Sequence, residues 1–266
     1  MKAKTIKLYL TGIKSYQLDL GIDCTTFGDP RLERTIQGIK RDHNEPERRL
    51  RSPLTCPYLL DVLRHIRGSQ YYHIVLRAAF ILAFAAFLRV GEFTYREIDK
   101  LLGRSLSRWF LTKQSIKVSR DATYLELTIP ASKTDPFRKG ITRTIAATQD
   151  EGCPVRATRQ LQASDTRRPH HTLLFCIRKQ TQQAFTREHI VHQLQHIAPT
   201  AGLGQGKWNG HSFCRGAAMW AAQVRLADTE IQTLGRWHSD AYKVYIEYTQ
   251  EERIRLSRHF QHNGTT

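Results

Sequence analysis

Apolar residues recur at helical spacing through most of the chain. Residues 4–18 place Ile6, Leu10, Ile13 and Gln17 along one face, and Gly21 follows as a stop. Asp29-Pro30 reads as a helix start, with Leu32, Ile36 and Ile39 forming the stripe behind it. Residues 44–53 are charged, poor in apolar side chains and punctuated by prolines, which marks a linker and a domain boundary. Thr55 caps the next helix, which runs to Ile66 with Leu59, Leu60 and Leu63 inward. Residues 72–88 are apolar nearly all round, so that helix belongs at the centre of a core. Residues 124–129 alternate at period two, as a half-buried strand does. Residues 130–140 supply Pro, Lys, Asp and Gly for a turn, and 141–146 return as a second strand; 173–177 form another short one. Further helices are expected over 186–199, 211–225, 228–235 and 239–250. The pattern predicts a small helical piece over residues 1–50 and, over 51–266, a mostly α domain with a small antiparallel β-sheet.

Charge narrows the class. The net charge is +17, from 41 basic and 24 acidic residues. Residues 1–50 hold ten Lys/Arg against seven Asp/Glu, a net of +3, so +14 lies in residues 51–266. A surplus of that size fits a polyanionic partner, nucleic acid being the commonest. The most apolar run, 78–88, is 11 residues long, against roughly 20 for a membrane span. Five scattered cysteines with no paired spacing, and no signal peptide, fit a reducing intracellular compartment.

The candidate chemistry stands on a few positions. Arg89 follows the long apolar run, where a buried guanidinium is expensive unless an anion meets it; snorkelling or capping of the helix carbonyls is the alternative. Glu92, three residues on, can orient Arg89 through a bidentate pair. Lys133 lies in the turn near Arg138, Lys139 and Arg143, where it can enter a DNA groove or give a proton to a departing oxygen; a solvated basic turn is the alternative. His211 opens a helix of small residues (Gly216, Ala217, Ala218, Ala221, Ala222), a place that favours an anion, although a simple polar cap reads the same. Tyr242, Tyr245 and Tyr248 recur every third residue, and composition does not choose among them. His189, His192 and His196 have zinc-like spacing but no Cys or acidic companion, so a solvated helix face fits better. Arginines and a lysine that clamp a phosphate, a histidine that moves a proton and a tyrosine that attacks make an inventory for breaking and remaking a phosphodiester.

In this order the motifs AFLRVGEF, PASKTDPFRKG, GHSFCRG and LGRWHSDAYKVY resemble those of the tyrosine recombinases, the superfamily of phage integrases, over roughly residues 4–255. The GRWHSDAYKVYI ending is most similar to the eukaryotic transposon-borne, Crypton-like branch. The resemblance implies a helical core-binding domain, of which residues 1–50 would be a truncated part, and an α/β catalytic domain over 51–266. It implies DNA recombination or integration by strand cleavage and rejoining through a 3′-phosphotyrosyl intermediate, with no metal or other cofactor. Arg89 corresponds to the first catalytic arginine, Glu92 to the acidic residue three positions later and Lys133 to the general acid. His211 opens the His-x-x-Arg motif, and Tyr245 is the nucleophile, nine residues after the position that follows Leu234-Gly235.

Two departures stand out. Cys214 occupies the place of the second arginine, with Arg215 next to it but about 100° further round a helix. Arg236 stands where His or Trp is usual, beside Trp237. Arg215 and Arg236 are both candidates to supply the missing guanidinium. The resemblance further implies double-stranded DNA as partner, a homotetramer on DNA, no membrane and residence in the nucleus. The alternative is a decayed or domesticated, transposon-derived DNA-binding protein that keeps the fold and has lost cleavage. An RNA-binding or ribosome-associated basic protein would need only the charge and leaves the motif order unexplained.

Overall fold

The computed structural model describes residues 1, 3–43, 52–96, 106–132, 135, 137–179, 183–237, 239–246, 250, 253–254 and 257–258. The chain divides into two compact units, 1–50 and 51–266. Most of the expected linker, together with Lys133, Tyr248 and most of the residues following Ile246, lies outside the described residues.

The first unit is a helical pair, α1 (Ala3–Asp19) and α2 (Pro30–Asp42), joined through a 3-10 turn at Thr25–Gly28. The start of α2 follows from chemistry. Asp29 is the N-cap, its Oδ1 accepting the Arg31 N–H at 2.7 Å, and Pro30 takes the first helical position, where no N–H is needed. Lys7 and Glu33 tie the two helices at 2.8 Å.

The second unit is built around α4 (Tyr71–Ala85), which follows α3 (Cys56–His65). Val75, Leu76, Ala78, Ala79, Phe80, Ile81, Leu82 and Ala83 are all buried, and each large apolar side chain contributes about 1.5–3 kcal/mol. Among the described residues, the short helices α5 (Val90–Phe93) and α6 (Leu106–Trp109) follow. Next comes a three-stranded antiparallel meander, β1 (Ile116–Val118), β2 (Tyr124–Ile129) and β3 (Ile141–Ala146), in the order β1-β2-β3. The alternation of β2 turns Leu125, Leu127 and Ile129 into the core. Then come α7 (Pro154–Ser164), the small ladder β4 (Cys176–Arg178) with β5 (Gln183–Ala184), and α8 (Arg187–Thr200), α9 (Ser212–Gln223) and α10 (Asp228–Gly235). α4 packs against α3, α7, α9 and β4. Close approach of α9 requires small residues: a Cβ on Gly216 would lie 1.9 Å from the Leu54 carbonyl oxygen.

The expected mostly α architecture with a small antiparallel sheet is present, and several details differ. α7 and β1 were not anticipated. Residues 240–245 form a 3-10 helix rather than the start of a long α-helix. The central helix stops at Ala85, so Arg89 does not sit on its last turn but is the N-cap residue of α5.

Candidate active site

Two helix ends that lack the usual glycine create the site. After α4, Phe87 takes a left-handed backbone (φ 52), Leu88 N–H donates to Ala83 O at 2.8 Å and Phe87 N–H to Phe84 O at 3.1 Å. This is a Schellman cap with phenylalanine in the glycine position. After α10, Arg236 is left-handed (φ 58, ψ 42), Trp237 N–H donates to Gln232 O at 3.0 Å and Arg236 N–H to Thr233 O at 3.4 Å. The glycine of that sequence sits one place earlier for a different reason. A Cβ on Gly235 would lie 1.7 Å from the Trp237 ring. A non-glycine residue held left-handed costs about 1–2 kcal/mol, and such strain concentrates at functional sites.

The two caps meet. The Phe87 and Trp237 rings pack edge to face at 6.0 Å, and Arg236 Nη2 donates to Phe87 O at 3.1 Å. The same Nη2 reaches Glu92 Oε2 at 2.8 Å. Glu92 in turn accepts the Arg89 N–H at 2.9 Å and Arg89 Nη1 at 3.2 Å. One carboxylate, 5% exposed, therefore holds two guanidinium groups, which leaves a net positive charge in a poorly hydrated place. Arg236 is 8% exposed, and its Nε and Nη1 are buried without a hydrogen-bond partner among the described residues. Arg143 adds to this field. Burial first, and then the neighbouring Arg236, hold its guanidinium below the ordinary arginine value, while Glu92 pulls the other way. Its Nη2 donates to the carbonyls of Thr233 and Leu234, at 2.6 Å for the latter, and so caps α10. Guanidinium donors grouped in this way can hold an anion.

Two clefts flank the β2–β3 loop. One, of about 630 Å³, is lined by Arg89, Glu92, Arg138, Arg187 and His211 among others. The other, of about 580 Å³, is lined by Lys139, Arg143, Arg236 and Trp237 with Phe137. Ser132 and Asp135 line both. His211 is the exposed N-cap residue of α9, held through its N–H to Asn209 Oδ1 at 2.8 Å. Cys214 is buried on the first turn of α9, and its thiol senses both Arg89 and Glu92. Burial pushes that thiol up to about 11, with Arg89 pulling it down and Glu92 pushing further up. Arg215 is also buried on α9. Arg138 lies over the Trp109 ring, 3.2 Å from its centroid.

The structure separates the tyrosines. Tyr242 is fully buried with Phe87, Ala217, Ala218, Ala221 and Ile231, so it is a core residue. Tyr245, half-buried at the end of the 3-10 helix, packs on the same cluster with its ring 6.1 Å from that of Trp237. Lys133 and Tyr248 are outside the described residues. The histidine face of α8 is engaged otherwise. His189 Nε2 lies 2.9 Å from the Tyr72 hydroxyl and its ring stacks on Phe185, while His192 stacks on His196. Sequence reasoning passed over Trp109 and Arg187; only the cleft singles them out.

No protein-family model matches the chain, and no curated protein matches it in sequence. Solved structures do match. XerH site-specific recombinase bound to difH substrate in a pre-cleavage complex superposes with a TM-score of 0.55 at 18% identity, covering 77% of this chain and 53% of that one. A lambda integrase dimer bound to a COC' core site gives 0.50 at 17% identity, covering 95% and 82%. XerA recombinase gives 0.51 at 13% identity, covering 94% and 82%. The chain thus spans about half the length of the XerH recombinase it matches. These likenesses show the tyrosine recombinase fold.

Proposed function

We propose that this chain binds duplex DNA and recombines it by cutting and rejoining strands through a 3′-phosphotyrosyl intermediate on Tyr245. Tyr245 gives up its phenolic proton to solvent as its oxygen attacks the scissile phosphorus, the phosphorus–O5′ bond breaks, and Lys133 gives a proton to the departing oxygen; religation is the reverse. Arg89, His211 and Arg236 hold the non-bridging oxygens. The reading rests on Arg236, whose buried, unspent donors stand beside Arg89 on the same carboxylate. Donors aimed at developing oxyanion charge are worth about 10²–10³ in rate each. The bond energy is conserved in the phosphotyrosine, so the cycle calls for no nucleotide. A homotetramer on two duplexes, a Crypton-like transposon lineage and residence in the nucleus belong to the same proposal and are supported by the sequence resemblance.

The test is a pool of nicked suicide duplexes, which trap covalent protein–DNA adducts. Wild type and Tyr242→Phe should form adduct, and Tyr245→Phe should form none; adduct that persists in Tyr245→Phe sinks the proposal.

A specific observation favours a second reading, a DNA-binding protein that has lost cleavage. The thiol of Cys214 is neutral and buried beside Arg89 and Glu92, where the resemblance places an arginine. Under that reading Cys214→Arg should raise adduct formation more than about tenfold from a barely detectable level, roughly 1.4 kcal/mol of barrier. No gain over an active wild type assigns the charge to Arg236.

A further inference from the structure

We infer that Phe137 is a nucleic-acid contact, an apolar tip that the β2–β3 loop presents to the groove of the bound duplex. The inference rests on the DNA reading above and deepens it. Phe137 is 80% exposed, more than any other large apolar side chain among the described residues. Leaving a phenyl ring in water on a strongly charged loop has no folding benefit.

Asp135 is tied to residues 138–140, next to Phe137, by hydrogen bonds. The Asp135 carboxylate accepts the backbone N–H groups of Lys139 at 3.2 Å and Gly140 at 2.9 Å, and the Arg138 N–H donates to Asp135 O at 3.2 Å. Arg138 and Gly140 both take left-handed backbones (φ 51 and 71), which turn the chain sharply. This geometry sends Arg138 inward onto Trp109, 3.2 Å from the ring centroid, and leaves Phe137 outward. The arginine–tryptophan stack holds Arg138, next to Phe137, against Trp109.

The surroundings specify the occupant. Phe137 shares its cleft with Lys139, Arg143 and Arg236, and the carboxylate there, Asp135, has both oxygens committed to the loop. An apolar tip ringed by cations fits a duplex, where phosphates meet the cations and an exposed base step receives the ring. An acidic protein surface would need carboxylates at the same spacing with an apolar socket between them, and a second copy of this basic chain does not offer that charge.

The experiment measures binding of the full chain to mixed-sequence duplexes carrying 2-aminopurine, across a salt series. Wild type should bind and raise 2-aminopurine emission as a step unstacks. Phe137→Ala should bind about tenfold more weakly with the salt slope unchanged, and should give no emission rise; Phe137→Leu should keep most of both. Because Phe137 is exposed, circular dichroism should show the same fold in all three. Equal affinity and emission for wild type and Phe137→Ala overturns the inference. So does a change in the sedimentation of free protein on Phe137→Ala, which assigns the tip to a second copy. Absence of any duplex binding by wild type instead removes the DNA reading itself.

Discussion

Two buried arginine–carboxylate pairs in the second unit have opposite characters. Arg168 donates Nε to Asp165 at 2.8 Å, Nη1 to Leu173 O at 3.0 Å and Cys176 Sγ at 2.9 Å, and Nη2 to the Tyr71 hydroxyl at 3.1 Å and again to Asp165. Lys113 adds donors to the carbonyls of Asp165 and Arg168, at 2.5 and 2.7 Å. Every nitrogen of that guanidinium is used. Arg236 is equally buried but commits only Nη2, leaving Nε and Nη1 without partners among the described residues. A saturated buried arginine holds the fold together, because removing it strands its neighbours. An unsaturated one is a standing cost to the fold, which the phosphate of the proposed reaction would offset.

Substitutions at the two pairs should therefore fail in different ways. Arg168→Ala leaves Asp165 buried with its main partner gone, and stability should drop by about 3–5 kcal/mol in urea unfolding. Arg236→Ala should lower adduct formation by about 10²–10³, yet move the unfolding free energy by less than about 1 kcal/mol, because Glu92 keeps Arg89. Arg236→Gly should lose as much cleavage and be more stable than Arg236→Ala by about 1 kcal/mol, since glycine accepts the left-handed backbone freely. Equal stability losses at Arg168 and Arg236 would erase the distinction.

A further effect concerns pH. Burial raises the Cys214 thiol from its ordinary 9.0 to about 11, so the unfolded chain gives up that proton first. The stability it contributes is complete below pH 9 and is lost as the pH climbs toward 11. Cys214→Ala should flatten that part of the alkaline limb in a series of urea melts, and an unchanged limb would place the thiol in water.

Periodicity was enough for the central helix, the β2–β3 pair and the helices on either side of the loop around residue 205. Each rests on a local repeat of apolar side chains, which the sequence displays directly. Short elements escaped, because β1 and α5 have too few residues for a period to show. The end of the central helix escaped for another reason. Sequence reading looks for glycine at a left-handed stop, whereas Phe87 holds that conformation here. Arg89 was thereby placed on the wrong side of a helix terminus.

The sequence by itself supplied the candidates for the proposed site, among them Arg89, Glu92, His211, Arg236 and Tyr245, and the mostly helical frame with its small sheet. Only the tertiary structure decided that Arg89 and Arg236 share Glu92, that Tyr242 is core while Tyr245 stays partly open, and that Arg138 turns in while Phe137 turns out. Residues 92 and 236 are joined by no local pattern. Their meeting depends on two strained helix caps packing edge to face, and packing between distant segments leaves no period in the chain.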